Sequence, residues 1–349
     1  MRQSKILGFA AVIVLCMLFL TTGCTKLAEE PAQTKTEPQK TAPTKAESEE
    51  QVQTVKLALK FVPDDTTTYR VTTDADNSIT WEGTDSDKPK GFTGGHTGRK
   101  IEITFSQKIQ STDDKGNAVA KITIKQLKYV VTVKNDITLD FDNSRQQDRQ
   151  NPLSKLIGQS YTIEMTASGE VSKLIDANDA RAAIGSVSSA DKTAANFLSQ
   201  KAIMKRHTIP ALPAADKNQL RTGEDWSSIK TYSFTMMGSK TYENIYTLKE
   251  IKKVDDRRIA IAQMEAVPST EKAKELHKEQ SASFFANMSD NTETYTGQLK
   301  LDLTSGKIEE CSENLTTKWV IVDPNPKEGQ QPAALIMTAV RSYSIEKID

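Results

Sequence analysis

A two-residue alternation of apolar and polar side chains recurs after about residue 54, and it constrains the fold more than any other feature. Successive side chains of a β-strand point to opposite faces, so this alternation marks strands with one face on a core and one in water. The pattern therefore predicts a mainly β (α+β) protein with antiparallel sheet. The apolar positions of the three clearest stretches are Val55, Leu57, Leu59 and Phe61, then Ile101, Ile103 and Phe105, then Ile137, Leu139 and Phe141.

Turn signals and one irregularity divide this pattern into strands. The segments DDKGN at 113–117 and TASGE at 166–170 have the composition of hairpin loops. In KITIKQLKYVVTV, at 121–133, the apolar positions change from even to odd numbers. One extra residue near Gln126, a β-bulge, would return the apolar side chains to one face.

A weak internal repeat points to two β halves. The same change of phase occurs in RIAIAQMEAV at 258–267, and SGKI at 305–308 follows SGEV at 168–171 at the same offset of 137 residues. The apolar phase before these two turns does not match, so chance similarity remains the alternative. We favour two consecutive curved antiparallel β-meander halves, possibly a duplication, at 54–175 and 225–349.

A short helical segment at 176–224 separates the two halves. It opens with capping residues, and its apolar side chains recur at helical spacing; we expect Gly185 and the serines after it to divide it into two short helices. A proline-marked connector at 208–226 follows, after which strands resume at Tyr232, Phe234 and Met236. A second helical or loose insert is predicted at 269–285.

The N-terminal segment 1–23 has the pattern of an export signal. Arg2 and Lys5 precede an apolar core from Ile6 to Leu20, which is shorter than the roughly 20 residues of a membrane-spanning helix. Ordinary secretion or an uncleaved anchor is one interpretation. The Gly-Cys pair ending at Cys24 instead resembles a bacterial lipobox, in which the cysteine is thioether-linked to diacylglycerol. One position departs from that pattern, because Leu20 lies four residues before the cysteine and Thr21 occupies the usual leucine position.

Residues 24–53 are predicted to form a lipid-anchored disordered stalk. The segment 25–53 has no aromatic residue and no glycine, and its lysines alternate with glutamates, prolines and threonines. Such a segment cannot bury enough apolar surface to offset the entropy of ordering. By random-coil scaling its reach is roughly 30 Å. We therefore expect a body held by lipid on the outer side of the cytoplasmic membrane or on the outer membrane, in the periplasm or at the cell surface.

Cysteine count and charge agree with this location and exclude some partners. Of the three cysteines, Cys16 belongs to the signal and Cys24 to the anchor, so only Cys311 remains and no internal disulfide can form. Without Arg2 and Lys5 the chain has 44 basic and 46 acidic residues, a formal charge of −2. A nucleic-acid partner, which favours a basic excess, is not expected.

One stretch resembles a known family. LIGQSYTIEMTASGEVSKLID, followed by a helix and LPAADKNQLRTGEDW, is similar to bacterial envelope proteins of the domain of unknown function 6263 family. The resemblance implies the fold and an exported location, and it implies no activity. The positions that carry it are Gly158, Gln159, Ser160, Tyr161, Gly169, Gly223 and Trp226.

The search for chemistry gives mostly exclusions. The glycine-rich segment 91–100 lacks the Gly-Lys-Ser/Thr ending of a phosphate loop and is interpreted as a flexible loop before a strand at Arg99–Ser106. In DADNS at 74–78, a calcium loop would need glycine where Ile79 stands, so we interpret it as a polar strand end. No Gly-x-Ser-x-Gly motif occurs, although a Ser-His-Asp triad assembled in space stays possible.

Neither metal nor cofactor is expected. The three histidines, His96, His207 and His277, are far apart in sequence, whereas a zinc or iron site needs three or four converging ligands. Cys311 is interpreted as a small buried residue on a strand, with a nucleophile as the alternative. The core anchors are expected to be Trp81, Trp226 and Trp319; ligand stacking is their other possible role.

Two functions remain compatible with the sequence. The first is a non-catalytic binding or interaction module of the cell envelope that captures a protein, a glycan or a lipid. The alternative is a carrier or chaperone that holds an apolar ligand, such as a lipid, under a curved β-sheet. Aromatic residues are only 6% of the chain, which is few for lining a large cavity, so we favour the first. An enzyme is the least favoured class.

The lipid anchor gives the first testable prediction. Cys24→Ala should abolish globomycin-sensitive processing and membrane fractionation, because the acylated thiol is lost. Cys16→Ala, inside the apolar core of the signal, is the matched control and should retain both properties. Retention of both by Cys24→Ala would refute the lipoprotein assignment.

Overall fold

The computed structural model describes residues 54–84, 88, 90–185, 188–234, 237–269, 290–322 and 332–348. The signal peptide, Cys24 and the stalk therefore lie outside the described residues, as do Met236, His277 and all but the first residue of the insert at 269–285. Within the described part, no helix is long and apolar enough to cross a membrane.

The described chain consists mostly of β-strands. The N-terminal strands are β1 (Val55–Lys56), β2 (Thr66–Glu82), β3 (Gly95–Thr112), β4 (Ala118–Val133), β5 (Asp136–Asp142), β6 (Ser160–Met165) and β7 (Val171–Asp176). The helices are α1 (Asn178–Ile184), α2 (Ser189–Phe197) and α3 (Gln200–His207). The C-terminal strands are β8 (Gln219–Leu220), β9 (Asp225–Ser233), β10 (Ser239–Val254), β11 (Arg257–Pro268), β12 (Asp290–Asp302), β13 (Lys307–Val322) and β14 (Ala334–Ile348). Short 3₁₀ helices occupy Gln146–Gln150, Pro152–Leu156 and Ala215–Lys217.

Twelve of these strands form one open antiparallel sheet. Its order is β7-β6-β4-β3-β2-β14-β13-β12-β11-β10-β9, and β5 pairs with β4. The mainly β, antiparallel fold class is thus confirmed. The two stretches predicted as halves meet in this sheet, because β2 pairs with β14 from Thr68 opposite Ile348 to Glu82 opposite Ala334.

The predicted turns and the first predicted bulge are confirmed. The segment 113–117 joins β3 to β4, and 166–170 joins β6 to β7. In the β3–β4 ladder Thr104 pairs with Gln126 and Phe105 with Ile124, so Lys125 is the extra residue that changes the facing. The phase change at 258–267 has a different origin. There the irregularity lies in β10, between Leu248 and Glu250, and β11 itself is regular.

The first alternating stretch forms only the two-residue strand β1, which pairs with β8. The residues after it run as an extended strap, because their amides bind turns instead of a neighbouring strand. Leu57 N–H donates to Asn218 O (2.8 Å), and Leu59 N–H donates to Ala167 O (2.8 Å). Lys60 N–H donates to Gly306 O (3.0 Å). The strap thereby ties together the two turns whose sequences resemble each other.

The helical connector lies where the sequence placed it, with one more break than expected. Gly185 ends α1, as predicted, and Leu198 and Ser199 separate α2 from α3. Ser199 caps α3, because its hydroxyl accepts a hydrogen bond from Ala202 N–H. Because a serine side chain can bind the backbone in this way, Ser199 favours the start of a new helix over the continuation of α2.

Two loop interpretations need correction. The glycine-rich segment was expected to remain a loop up to Arg99, but β3 begins at Gly95 and already pairs there with Ile79. The polar residues 74–78 are the middle of β2 rather than its end. In both segments, pairing with neighbouring strands continues through polar residues. β2 pairs with β14 from Thr68 to Glu82 and with β3 from Thr66 to Ile79, which alternation alone does not reveal.

The core lies on one face of the sheet, called here the inner face, beneath α2 and α3. The Phe197 ring packs edge-on against Tyr129 at 5.5 Å, and the His207 ring packs edge-on against Phe105 at 4.5 Å. The core side chains of the described residues lie between Val55 and Ile345, within the unit Gln51–Asp349. We therefore expect residues 54–349 to fold without the preceding segment.

His207 is buried in this core as a neutral imidazole. It is 2% exposed, and its Nε2 lies 2.6 Å from the Tyr161 hydroxyl, which also accepts a hydrogen bond from Arg206 (3.1 Å). Burial, and then the charge of Arg206, hold the pKa of His207 well below its usual value. The Tyr161 hydroxyl therefore donates to an unprotonated Nε2.

The pH dependence of stability follows from this burial. Below pH about 6.5 the unfolded chain binds a proton at His207 and the folded chain does not, so unfolding is favoured by up to about 1.4 kcal/mol per pH unit. His207→Gln removes this titration, and its free energy of unfolding should fall less between pH 7 and pH 5. Urea unfolding of residues 54–349 measures the difference, with His96→Gln as the control. Identical pH dependence in wild type and His207→Gln would contradict the assignment.

Gly306 provides a separate test of the strap. Its φ is +67°, and a Cβ there would lie 2.4 Å from the backbone nitrogen and Cβ of Lys60. Gly223 also has positive φ (+89°), but nothing lies within 4 Å of its Cβ position. Gly223→Ala should therefore cost about 1 kcal/mol of stability through backbone strain alone, and Gly306→Ala about 3 kcal/mol through strain and displacement of the strap. Equal costs in urea unfolding would show that the strap is not held there.

Candidate anion-binding site

A buried carboxylate lies inside the C-terminal part of the sheet. Glu313 of β13 is 2% exposed and forms an ion pair with Lys230 of β9 through Oε2. The Tyr295 hydroxyl donates to Oε2 and the Tyr246 hydroxyl donates to Oε1, both at 2.8 Å. Since β9 and β13 are four places apart in the sheet, their contact requires a strongly curled sheet.

Burial and the charge of Glu313 determine the protonation states of the three groups that contact it, Tyr246, Tyr295 and Lys230. Burial, then the carboxylate, raise the pKa of Tyr246 and Tyr295, so both remain neutral donors. Burial acts to lower the pKa of Lys230, but the attraction of Glu313 outweighs it and the pKa is raised. With three donors on its two oxygens, the Glu313 carboxylate links β13 to β9, β10 and β12.

Cys311 lies two residues before Glu313 on the same face of β13. Its side chain is buried, which confirms the sequence interpretation. Burial, and then the charge of Glu313, raise the pKa of its thiol. The thiol therefore stays protonated and is a poor nucleophile.

Lys230 belongs to a group of five positively charged side chains, of which the other four lie within electrostatic reach of Lys205 or are Lys205 itself, and we call the group the cationic cluster. They are Arg99 of β3, Lys201 and Lys205 of α3, Lys230 of β9 and Arg341 of β14. Arg341 is paired with Ala75 of β2, and Ala75 is paired with Arg99. Directly paired residues share a face, so both guanidinium groups rise from one row of the inner face, with starting points about 10 Å apart.

Helix α3 contributes two further positive charges to the cluster. Lys201 and Lys205 are four residues apart and so lie on one side of the helix, and both are exposed. The pKa of Lys205 is lowered by partial burial and then by the positive charges of Lys230, Arg99, Lys201 and Arg341. Lys205 is thus within electrostatic reach of every other member of the cluster.

Aromatic rings and backbone carbonyls hold the two innermost cations. The Arg341 guanidinium lies over the Phe234 ring at 5.5 Å and donates to Asp76 O (2.7 Å) and to Asn77 Oδ1 (2.8 Å). The Lys230 ammonium lies 5.4 Å from the Tyr232 ring and 6.0 Å from the Tyr343 ring. These contacts fix the direction of the charges without neutralising them.

The charge of the cluster is poorly compensated. Among the described residues, Glu313 is the only carboxylate that forms an ion pair with any of its five cations. Asp74 and Asp76 attract Arg341, but they occupy the alternate positions of β2, which point to the opposite face, and Asp76 binds His96 there. The inner face therefore carries a local excess of positive charge, an arrangement that attracts anions.

The structure separates the residues that the sequence singled out. His96 lies with Asp76 on the outer face, His207 lies in the core, and Trp226 and Trp319 are buried while Trp81 is half-buried. In the described ranges, no three His, Cys, Asp or Glu side chains come together as a potential metal site. The sequence did not predict the cationic cluster, because its members come from four distant segments. The local signal that could have indicated it is a charged residue at a position of an alternating strand that faces the core.

The residues that carry the family resemblance attach the helical connector and the turns to the sheet. Gly158 N–H donates to Ile124 O (2.8 Å), and Gly169 O accepts from Ile209 N–H (2.8 Å). Gly223 N–H donates to Leu248 O (2.7 Å). The Trp226 indole donates to Ala211 O (3.0 Å) and stacks on Tyr246 at 5.4 Å. The motif is therefore architectural.

Comparisons with known proteins give one informative match. No curated protein sequence matches the chain. Among solved structures, it is similar to DynF from the dynemicin biosynthesis pathway of Micromonospora chersina, at 6% identity over 86% of this chain and 88% of DynF, with a TM-score of 0.18. A TM-score that low carries no argument about fold or function. The model of the family of unknown function DUF6263 matches residues 115–308, more than half of the chain, and the protein therefore belongs to the DUF6263 family.

Proposed function

We propose that this protein is a membrane-anchored envelope lipoprotein that acts as a non-catalytic binding module and captures an anionic partner at the cationic cluster. The observation that carries the proposal is the strand register that places Arg99 and Arg341 in one row of the inner face. Three lysines from α3 and β9 lie within electrostatic reach of this row or of one another. Like charges at close range repel one another, and a bound anion relieves that repulsion.

The chemistry around the cluster supports binding over catalysis. A general base needs a free lone pair with a pKa near the working pH, and the oxygens of Glu313 are occupied by Lys230 and two tyrosines. A thiol nucleophile needs a lowered pKa, and that of Cys311 is raised. The proposed function therefore requires no cofactor and no covalent step.

The proposed location rests on the N-terminal sequence. An anchor at Cys24 and a stalk over 24–53 would hold the body at a membrane surface outside the cytoplasm. A protein, glycan or lipid with a negative charge would meet the cluster there, where long-range attraction speeds encounter. The near-neutral balance of the whole chain does not oppose this, because steering depends on local charge.

Binding of inorganic phosphate tests the proposal. In isothermal titration of residues 54–349 at low salt, Arg99→Gln/Lys205→Gln should weaken phosphate binding by at least about tenfold, since each removed charge at 4 Å contributes roughly 1 kcal/mol even in water. Both side chains are exposed, so the variant should fold.

The matched control is Lys121→Gln/Lys173→Gln, which removes two exposed cations of β4 and β7 outside the cluster. It should bind phosphate as the wild type does. Equal weakening by both double variants would indicate a general charge effect and would refute a site at the cluster. Absence of phosphate binding to the wild type would refute the anionic specificity.

A further inference from the structure

A strip of half-buried apolar side chains continues from the cationic cluster across the inner face. Its members, called here the apolar strip, are Ile101 of β3, Tyr129, Val131 and Val133 of β4, and Leu139 of β5. Val133 is 41% exposed, and the other four have intermediate exposure. Ile101, Tyr129 and Leu139 also pack against the core, so the strip is the partly exposed margin of that core beside the charges. Exposed apolar surface that is continuous with charge is a candidate interaction surface.

Strand register places the strip in line with the cations. Arg99 pairs with Val131, and Val131 pairs with Leu139, so the row that contains Arg341 and Arg99 continues directly into apolar side chains. Ile101 and Tyr129 form the adjacent row. One end of the row thus binds negative charge, and the other end offers apolar surface.

From this juxtaposition we infer that the partner captured at the cationic cluster is an anionic amphiphile, a lipid with its negative headgroup at Arg99 and Arg341 and its acyl chain along the apolar strip. The inference rests on the proposed function, because it assigns the ligand of the same site. A polyanionic glycan fits less well, since it would need further cations along its length and Tyr129, Val131 and Leu139 are uncharged.

The acyl chain would lie on the strip rather than in an enclosed cavity. The cavity beneath the strap, between Leu59, Phe61, Thr67, Phe105 and His207, has a volume of ≈ 20 Å³, which is room for about one water molecule. The strip is partly exposed beside Phe197 of α2, which packs against Tyr129, and it lies on the side of the cluster away from Lys230. This arrangement places the ligand of the predicted lipid carrier on the surface of the sheet instead of in an enclosed cavity.

Dodecyl phosphate and inorganic phosphate together test the inference. With residues 54–349 and dodecyl phosphate below its micelle concentration, we expect at least about a hundredfold tighter binding than for inorganic phosphate, because each buried methylene contributes roughly fourfold. Dodecyl maltoside, which has the same chain and no charge, should bind at least tenfold more weakly than dodecyl phosphate.

Leu139→Asn should remove about tenfold of the affinity for dodecyl phosphate and leave inorganic phosphate binding unchanged, which also shows that the variant is folded. Ile137→Asn is the matched control on the same strand. Its side chain is 65% exposed, and the register shift between the Val131 and Thr132 pairs turns it to the opposite face. It should bind both ligands as the wild type does.

The outcomes separate the two proposals. Equal affinity for dodecyl phosphate and inorganic phosphate would overturn the amphiphile and leave an anion-binding module. Equal affinity for dodecyl phosphate and dodecyl maltoside would overturn the role of the headgroup. If neither phosphate compound bound, both proposals would fail. Loss of dodecyl phosphate affinity in Ile137→Asn to the same extent as in Leu139→Asn would overturn the location of the chain.

Discussion

The pairing of β2 with β14 is the constraint on which the rest of the structure depends. It joins the beginning of the described chain to its end, with Thr68 opposite Ile348, and turns two meanders into one sheet. It also places Arg341 in the same row as Arg99, more than 240 residues earlier. Such a ladder closes a long loop before it gains any contact, so we expect it to form late in folding. The candidate site therefore exists only in the completed fold.

Buried charges and charges near solvent are compensated to different extents in this protein. Inside the curled sheet, Glu313 is matched by Lys230 and by two tyrosine hydroxyls, so the cost of burying a carboxylate is offset by charge-assisted hydrogen bonds. At the edge of the same interior, Arg99, Lys201 and Lys205 have no carboxylate partner in the described part of the chain. Repulsion among them is tolerated because they lie close to solvent. The ion pair of Glu313 and Lys230 is therefore structural, whereas Arg99, Lys201 and Lys205 are the charges that we propose for ligand binding.

The sequence predicts local features of this fold well and long-range ones poorly. Period-two alternation identifies the strands around Ile103 and Phe141, and the phase change in 121–133 locates the bulge at Lys125 to within one residue. Alternation fails for the strap, where Leu57 and Leu59 alternate as in a strand but bind turns. The cationic cluster is beyond such reasoning, because no local pattern encodes which strand lies beside β2. Whether the two halves arose by duplication stays a prediction; both turns that suggested it contact the strap.

The position of the cluster at the junction has an energetic consequence. One end of the inner face is closed, since His207 and the strap pack over Phe105, and the other end is open at the row of Arg341, Ala75 and Arg99. The ligand that we propose would, at that row, contact β3 from the N-terminal half, β14 from the C-terminal half and α3 from the connector between them. Its binding free energy would add to that of the β2–β14 ladder, because unfolding either half would destroy the site. On the proposed function, capture of a ligand and cohesion of the two halves would therefore be coupled through the same pair of strands.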